Sequence, residues 1–323
     1  MIPQTEKLQI IIPIYNEEDC VRELVKRLIC LREKIQPLVA EFIFVNDGSQ
    51  DKSLEMLYGY AEKHDFVKII NLSRNFGHQY AITAGLDYAD ADYAVTIDAD
   101  LQDPPELIET MLAKAKEGFD IVYAHRSHRK EETVFKKLSA KFFYRAINKM
   151  CNIKIPIDTG DYRLIRKNVL NVLKQMREKH RFLRGMVPWM GFRSTPVCYK
   201  RDRRYAGKTK YPFGRMLLFA MDAIFSFSNV PIRVAIVMGA FFCLFGIIAS
   251  LVLLYLRFFT SFYAHGILTV IAMITIFGGF QLFMIGIMGE YIGRIFEESK
   301  RRPLYIISDT RNFVNEPKSV LKD

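Results

Sequence analysis

The sequence predicts a mainly parallel α/β sheet with helices on both faces, followed by two C-terminal transmembrane helices. Three observations lead there. Apolar strand-like runs alternate with helical stretches over the first 123 residues. Polar residues gather where those runs end. Two long charge-free runs, 234–256 and 258–289, close the chain. Each exceeds the roughly 18 residues that suggest a membrane span.

Each element has its own signature. Residues 8–14 (LQIIIPI) read as a buried strand ending at Pro13 and Ile14. Asn16 and Glu17 then turn the chain into a helix near 18–34, whose Val21, Leu24, Val25, Leu28 and Leu31 fall at helical spacing. A second strand over 41–46 ends in Asp47-Gly48-Ser49, and a helix follows near 51–63. Residues 67–71 form a third strand, Gly77 to Ala89 a helix, and 92–97 a fourth strand ending in Asp98-Ala99-Asp100. Pro104 and Pro105 start a helix to about Glu117, and 119–123 is a short strand. Such alternation implies a sheet whose ligands lie beyond the strands' carboxyl ends. Residues 133–150 read as an amphipathic helix. Residues 211–230 read as a segment lying along a membrane surface or as a further core helix.

Composition bounds the rest. The chain has 323 residues, is half apolar, and carries a formal net charge of +11. Its first 230 or so residues suffice for one soluble domain. The predicted division is 1–210 catalytic domain, 211–231 juxtamembrane segment, 232–257 first span, 258–265 external loop, 266–290 second span and 291–323 polar tail. The final twenty residues are expected to be loosely ordered. Cys20, Cys30, Cys151, Cys198 and Cys243 form no close pair with metal-ligand spacing, so they read as thiols in a reducing compartment. Met1 to Ile12 has no long apolar region, so a cleaved signal peptide is not expected.

The positive charge is concentrated. Ten Lys or Arg residues and one acid, Asp202, lie between Arg181 and Arg215, just before the first span. Lys300, Arg301 and Arg302 follow the second, whereas the connection between spans carries only Arg257. This asymmetry predicts that both ends and the polar domain face the cytoplasm. The basic region suits anionic headgroups or a phosphate substrate rather than nucleic acid. No Gly-x-Gly-x-x-Gly fingerprint follows the first strand and no Walker loop is present, which disfavours a dinucleotide oxidoreductase or a P-loop ATPase. Gly289 and Gly293 have small-x-x-x-small spacing, which permits close helix contact within a subunit or in a homo-oligomer.

Asp98 and Asp100 alternate around Ala99, so both carboxylates can turn toward one ligand, with Mg²⁺ or Mn²⁺ the ions suited to such oxygen donors. Helix capping and simple exposure are the competing readings. Arg126, Arg163, Arg201, Arg204 and Lys208 could hold phosphate, Arg with two parallel donors and Lys as a point charge. Asp161 reads either as orienting an Arg or the acceptor, or as a turn residue. His78 and His180 read as phosphate or sugar contacts or as ordinary structural histidines. Trp189 reads as packing by the site, at the membrane interface or in the core.

Pro13-Ile14-Tyr15-Asn16-Glu17, Asn46-Asp47-Gly48-Ser49 and Asp98-Ala99-Asp100-Leu101-Gln102-Asp103-Pro104-Pro105 together resemble the signature blocks of inverting family-two glycosyltransferases. Gly160-Asp161-Tyr162-Arg163 and Arg204 to Tyr211 narrow the resemblance to polyprenyl-phosphate glycosyltransferases, such as undecaprenyl-phosphate glucosyltransferases and dolichyl-phosphate mannose synthases. The resemblance implies a Rossmann-like GT-A fold in a bacterial inner membrane. It implies that Pro13, Tyr15, Glu17 and Asp47 line the nucleotide pocket. It also implies that Asp98, Asp100 and Gln102 hold the metal, that Asp98, Asp100, Asp161 and Arg163 serve catalysis, and that Arg126, Arg201, Arg204 and Lys208 bind the acceptor phosphate. The donor it implies is UDP-glucose and the acceptor undecaprenyl phosphate. UDP-formylaminoarabinose and GDP-mannose are alternative donors, and a non-catalytic membrane scaffold is the alternative outside enzymology. Relatives often carry two acids where this chain has Asn46-Asp47, which leaves the role of Asn46 open.

Overall fold

A computed structural model describes residues 6–126, 159–200, 225, 228–259 and 266–313. The chain divides into two compact units, one built on a sheet and one spanning Arg145–Asn152 and Leu217–Arg301. The expected helix over 133–150, nearly all of the juxtamembrane segment, and Arg201, Arg204 and Lys208 lie outside the described residues.

The sheet unit begins with β1 (Lys7–Ile14), α1 (Glu18–Lys34), β2 (Val39–Asn46), α2 (Ser53–Ala61), β3 (Val67–Leu72), α3 (His78–Tyr88) and β4 (Tyr93–Thr96). It continues through α4 (Leu107–Lys116), β5 (Ile121–Arg126), β6 (Thr159–Arg166), α5 (Lys167–Gln175), α6 (Leu183–Trp189) and β7 (Ser194–Tyr199). A last strand, β8 (Ile307–Arg311), follows the apolar helices. The strand order is β7-β5-β6-β4-β1-β2-β3-β8. Pairings β1–β2, β1–β4, β2–β3 and β5–β7 are parallel. β6 runs antiparallel to both β4 and β5, and β8 antiparallel to β3.

Central position explains the strand sequences. β1 is covered on both faces, so Leu8 and Ile10 to Ile14 form a continuous buried run rather than an alternating one. The predicted stripe of α1 is buried as expected. α3 crosses the other face at Gly85, where a Cβ would lie 2.3 Å from Ile11 Cγ2, so only glycine permits this approach.

Two expectations need correction. Residues 304–313 are not a loose tail. Leu304 and Tyr305 are buried, and β8 covers the edge that β3 would otherwise expose. The Asn312 side chain donates to the carbonyls of Ala61 and Val67, both at 2.8 Å. Polarity misleads here, because a short edge strand needs hydrogen bonds more than apolar side chains. The glycines of the second apolar run also differ from one reading. A Cβ at Gly278, Gly279, Gly286, Gly289 or Gly293 would meet nothing within 4 Å, so among the described residues they do not mediate packing inside the chain.

In the second unit, α7 (Val230–Phe259) and α8 (Gly266–Ser299) have 30 and 34 residues. At 1.5 Å per residue they rise about 45 and 51 Å, long enough to cross a hydrocarbon core of about 30 Å. Their most apolar stretches are 0 % buried. Ile236, Val237, Phe241, Leu251, Ile274 and Leu282 are all more than half exposed, which suits lipid and not water.

Gly48 offers a test of the fold. It sits at φ +68°, and a Cβ there would lie 2.6 Å from the Asn75 backbone nitrogen and 2.7 Å from the Arg74 carbonyl carbon. Gly48→Ala is expected to destabilise the protein by about 1–3 kcal/mol. Gly59→Ala, where nothing lies within 4 Å inside α2, should instead stabilise it by up to about 1 kcal/mol. Thermal unfolding of the two purified variants checks the opposite signs.

Candidate active site

The carboxyl ends of β1, β2 and β4 lie side by side, and side chains stitch their loops together. Ser49 Oγ accepts the Asn16 N–H at 3.1 Å, and Ser53 Oγ accepts the Glu17 N–H at 3.0 Å. Asn16 sits at φ +52°, a conformation asparagine tolerates, and its Oδ1 accepts the Gln50 N–H at 2.8 Å. These bonds hold Tyr15 and Glu17 at the cleft edge. Tyr15 is 38 % exposed, whereas Pro13 is buried within β1 and can shape the pocket only through the strand.

Asp47 is buried, and its two carboxylate oxygens accept the backbone N–H groups of Phe76 at 2.7 Å and Gly77 at 2.9 Å. Burial pushes its carboxyl above the ordinary range, although the two amides, His78 and Arg74 oppose this. Asp47 thus ties the end of β2 to the start of α3. A carboxylate has about four lone-pair sites, and these two bonds use one on each oxygen.

The acid cluster follows β4. Leu101 between Asp100 and Gln102 is buried at φ +57°, a strained conformation for a branched side chain. Asp100 Oδ1 accepts the Gln102 N–H at 3.1 Å, which closes the turn. Burial pushes the Asp98 carboxyl up. His78 opposes this, but the negative charges of Asp161, Asp103 and Asp100 add to the rise. Crowded carboxylates of this kind suit a bound cation. Among the described residues no three His, Cys, Asp or Glu groups are arranged to hold a metal. Asp98 and Asp100 nonetheless offer hard oxygen donors of the kind a divalent ion prefers when water or phosphate completes its shell.

Asp161 and Arg163 on β6 occupy the interior. Arg184 Nε and Nη2 donate to the two oxygens of Asp161 at 3.1 and 2.8 Å. Gln79 Nε2 donates at 3.3 Å, and His78 Nε2 lies 3.5 Å from Asp161 and 3.4 Å from Asp98. Burial alone would raise the Asp161 carboxyl, but Arg184 and His78 overcome it and hold it well below the usual range. Burial would lower His78, yet Asp161 and Asp98 push it up to about 9. Of the two readings of Asp161, the orienting one fits: it fixes Arg184 and His78.

Two expected phosphate ligands are engaged elsewhere. Arg163 is 4 % exposed and donates to the carbonyls of Leu183 and Gly160 at 3.0 and 3.1 Å. It fastens α6 to β6 and positions Asp161. Arg126 Nε donates to the Tyr199 hydroxyl at 3.3 Å, and its Nη2 lies 3.7 Å from Asp103. The Tyr199 hydroxyl donates to Asp103 in turn. Asp103, Tyr199 and Arg126 together anchor the loop after the acid cluster to β5 and β7. Trp189 is 61 % exposed, which removes the core reading.

Sequence reasoning missed Arg184 and Gln79. Arg184 belonged to a basic stretch in which nothing distinguished one cation from another. His78 was legible only as a candidate with two readings.

Residues 9–173 match the profile described as glycosyl transferase family 2. The chain is 47 % identical to an uncharacterized glycosyltransferase, YkcC, of Bacillus subtilis over 95 % of both chains. It is 35 % identical to a bactoprenol glucosyl transferase of Shigella phage SfV, over 94 % of this chain and 99 % of that one. Among solved structures, a glucosyl-3-phosphoglycerate synthase from Mycobacterium tuberculosis in complex with Mn²⁺, UDP-glucose and phosphoglyceric acid gives a TM-score of 0.47. It is 15 % identical over 68 % of this chain and 78 % of that one.

The charge balance at Asp161 is testable. A carboxyl held below its unfolded value contributes stability that is complete above the ordinary carboxylate range and is lost as pH falls through the folded value. Asp161→Asn removes the carboxylate that faces partly exposed Arg184 and buried Arg163, and should cost about 1–3 kcal/mol at neutral pH. The variant's stability should also fall less steeply than the wild type's in acid, read from denaturant midpoints between pH 7 and pH 3.

Proposed function

The chain belongs to glycosyl transferase family 2, and from that premise we propose that it transfers glucose from UDP-glucose to undecaprenyl phosphate with inversion at C1. The observation that carries the donor half is the crowding of Asp98 by Asp100, Asp103 and Asp161, which suits a metal-bound diphosphate. The lipid half rests on two long apolar helices whose most apolar stretches are 0 % buried. Full-length likeness to a bactoprenol glucosyl transferase supports both halves.

The acceptor supplies its own nucleophile. The second pKa of a phosphate monoester is about 6, so at neutral pH it is largely a dianion and needs no strong base. Catalysis then rests on positioning and charge stabilisation. A phosphate oxygen attacks the sugar C1 opposite UDP, a new C1–O bond forms, and the bond from C1 to the β-phosphate oxygen breaks. Its electron pair leaves with UDP. Asp98, Asp100 and Gln102 would hold Mg²⁺ or Mn²⁺, which would supply positive charge to the departing diphosphate. Tyr15, Glu17 and Asp47 line the nucleotide pocket, and Arg201, Arg204 and Lys208 hold the acceptor phosphate. Asp161 keeps Arg184 and His78 directed at the cleft beside Asp98. The basic residues flanking the helices orient the sheet unit, and both ends of the helix pair, toward the cytoplasm of a bacterial inner membrane.

Purified full-length protein, undecaprenyl phosphate, Mg²⁺ and a panel of UDP-glucose, UDP-formylaminoarabinose and GDP-mannose test this reading. UDP-glucose should give the lipid-linked product, chelation should abolish it, and Asp100→Asn should lower kcat by about 10²–10³. Turnover that survives rigorous chelation sinks the metal role. Product with another donor alone replaces glucose, and no product with any donor removes the acceptor assignment.

A further inference from the structure

Asn46, Asn71 and Asp309 stand in lateral register on three adjacent strands, Asn46 opposite Asn71 across β2–β3 and Asn71 opposite Asp309 across β3–β8. Asn46 Nδ2 donates to Asn71 Oδ1 at 2.9 Å. Asn71 Nδ2 donates to Asp309 Oδ2 at 2.7 Å. The Tyr58 hydroxyl, from α2, donates to Asp309 Oδ1 at 2.6 Å. At the other end, Asn46 Oδ1 accepts the Ser49 N–H at 3.3 Å, and Ser49 Oγ in turn accepts the Asn16 N–H.

The direction of this chain is not arbitrary. An amide can present either its oxygen or its NH₂ to a neighbour, whereas an ionised carboxylate only accepts. Asp309 at one end therefore obliges Asn71 to turn its NH₂ outward and its oxygen inward. Asn46 must then turn its NH₂ toward Asn71, which leaves its own oxygen for the Ser49 N–H. Burial makes a reversed amide costly, since Asn46 is 1 % exposed and has no water to substitute for a lost partner. Burial and Asp309 together push the Tyr58 hydroxyl up to about 12, which keeps it a donor at the far end.

We propose that Asp309, on the strand that follows both apolar helices, is a positioning residue for nucleotide binding: through Asn71 it sets the polarity of Asn46 and so the shape of the Asp47-Gly48-Ser49 turn. The inference rests on the reading that Asp47 and its neighbours line the nucleotide pocket. It assigns Asn46 a role that an acid at the same position could not fill, because an acid would present an oxygen to the oxygen of Asn71.

The same logic supplies the test. Asn46→Asp forces Asn71 to reverse, which turns its oxygen onto the Asp309 carboxylate. Asn46→Asp with Asp309→Asn restores a complete chain running the other way: Asn71 donates to position 46, position 309 donates to Asn71, and Tyr58 donates to the oxygen at 309. UDP binding to the full-length protein by calorimetry and thermal midpoints are measured for wild type, both single variants and the double variant. Asn46→Asp should weaken UDP binding about tenfold and lower the midpoint, Asp309→Asn should weaken binding less, and the double variant should return to within about threefold of wild type. A double variant no better than Asn46→Asp in either measurement overturns the polarity chain. Recovery of the midpoint without recovery of UDP affinity overturns the positioning role and leaves a structural one. Wild type that binds no UDP overturns the nucleotide reading beneath it, while the midpoints still judge the chain.

Discussion

A carboxylate without water must find its compensation in the protein, and much of this active centre is arranged by that demand at Asp161. The residue lies inside the sheet on β6, a place that would ordinarily neutralise an acid. Arg184 from α6, His78 and Gln79 from the start of α3, and Arg163 from β6 itself all converge on it. Apart from Arg163, these partners come from elements separated from β6 in the sequence. Electrostatics therefore decides where the N-terminus of α3 and the short α6 sit, and both bring polar side chains to the cleft beside Asp98.

Two neighbouring acids consequently live in opposite regimes. Arg184 and His78 hold the Asp161 carboxyl well below the usual range, while burial and the neighbouring carboxylates push the Asp98 carboxyl above it. His78 touches both and is raised by both. The division gives Asp161 a permanent internal counter-charge in Arg184, whereas Asp98 shares His78 with it. The same division separates residues that build the site from those that meet ligand. Arg163 and Arg126 fall in the first group because carbonyls, Asp103 and Tyr199 hold their guanidinium groups.

How far the molecule was legible follows from what each residue does. The strands β1 to β4 and helices α1 to α4 could be read because burial on both faces, or on one stripe, writes itself as apolar spacing. The acids at strand ends could be read because parallel sheets place ligands there. β6 escaped because Gly160, Asp161 and Arg163 interrupt its apolar pattern, and their burial is made tolerable by partners distant in sequence. β8 escaped because Ser308, Asp309 and Thr310 look like a solvated tail until β3 is known to have an open edge. Asn46 looked like a departure from an acidic pair, and only the strand register shows which neighbour it faces. Periodicity reports burial against many atoms, whereas these positions answer to one specific partner each.

The placement of β8 also has a consequence in time. Tyr58 and Asp309 touch across 251 residues of chain, and both apolar helices lie in that interval. Synthesis at about 5–20 residues per second puts roughly 10–50 s between the emergence of β3 and that of its edge partner. During that interval any nascent sheet has bare N–H and C=O groups along β3 and a half-built row of amides beside the Asp47-Gly48-Ser49 turn. The sheet can be completed only after both helices have been synthesised. Order of synthesis thus places both helices ahead of the strand that completes the sheet, so a chain stalled short of them is also one whose Asp47-Gly48-Ser49 turn lacks its support from Asp309.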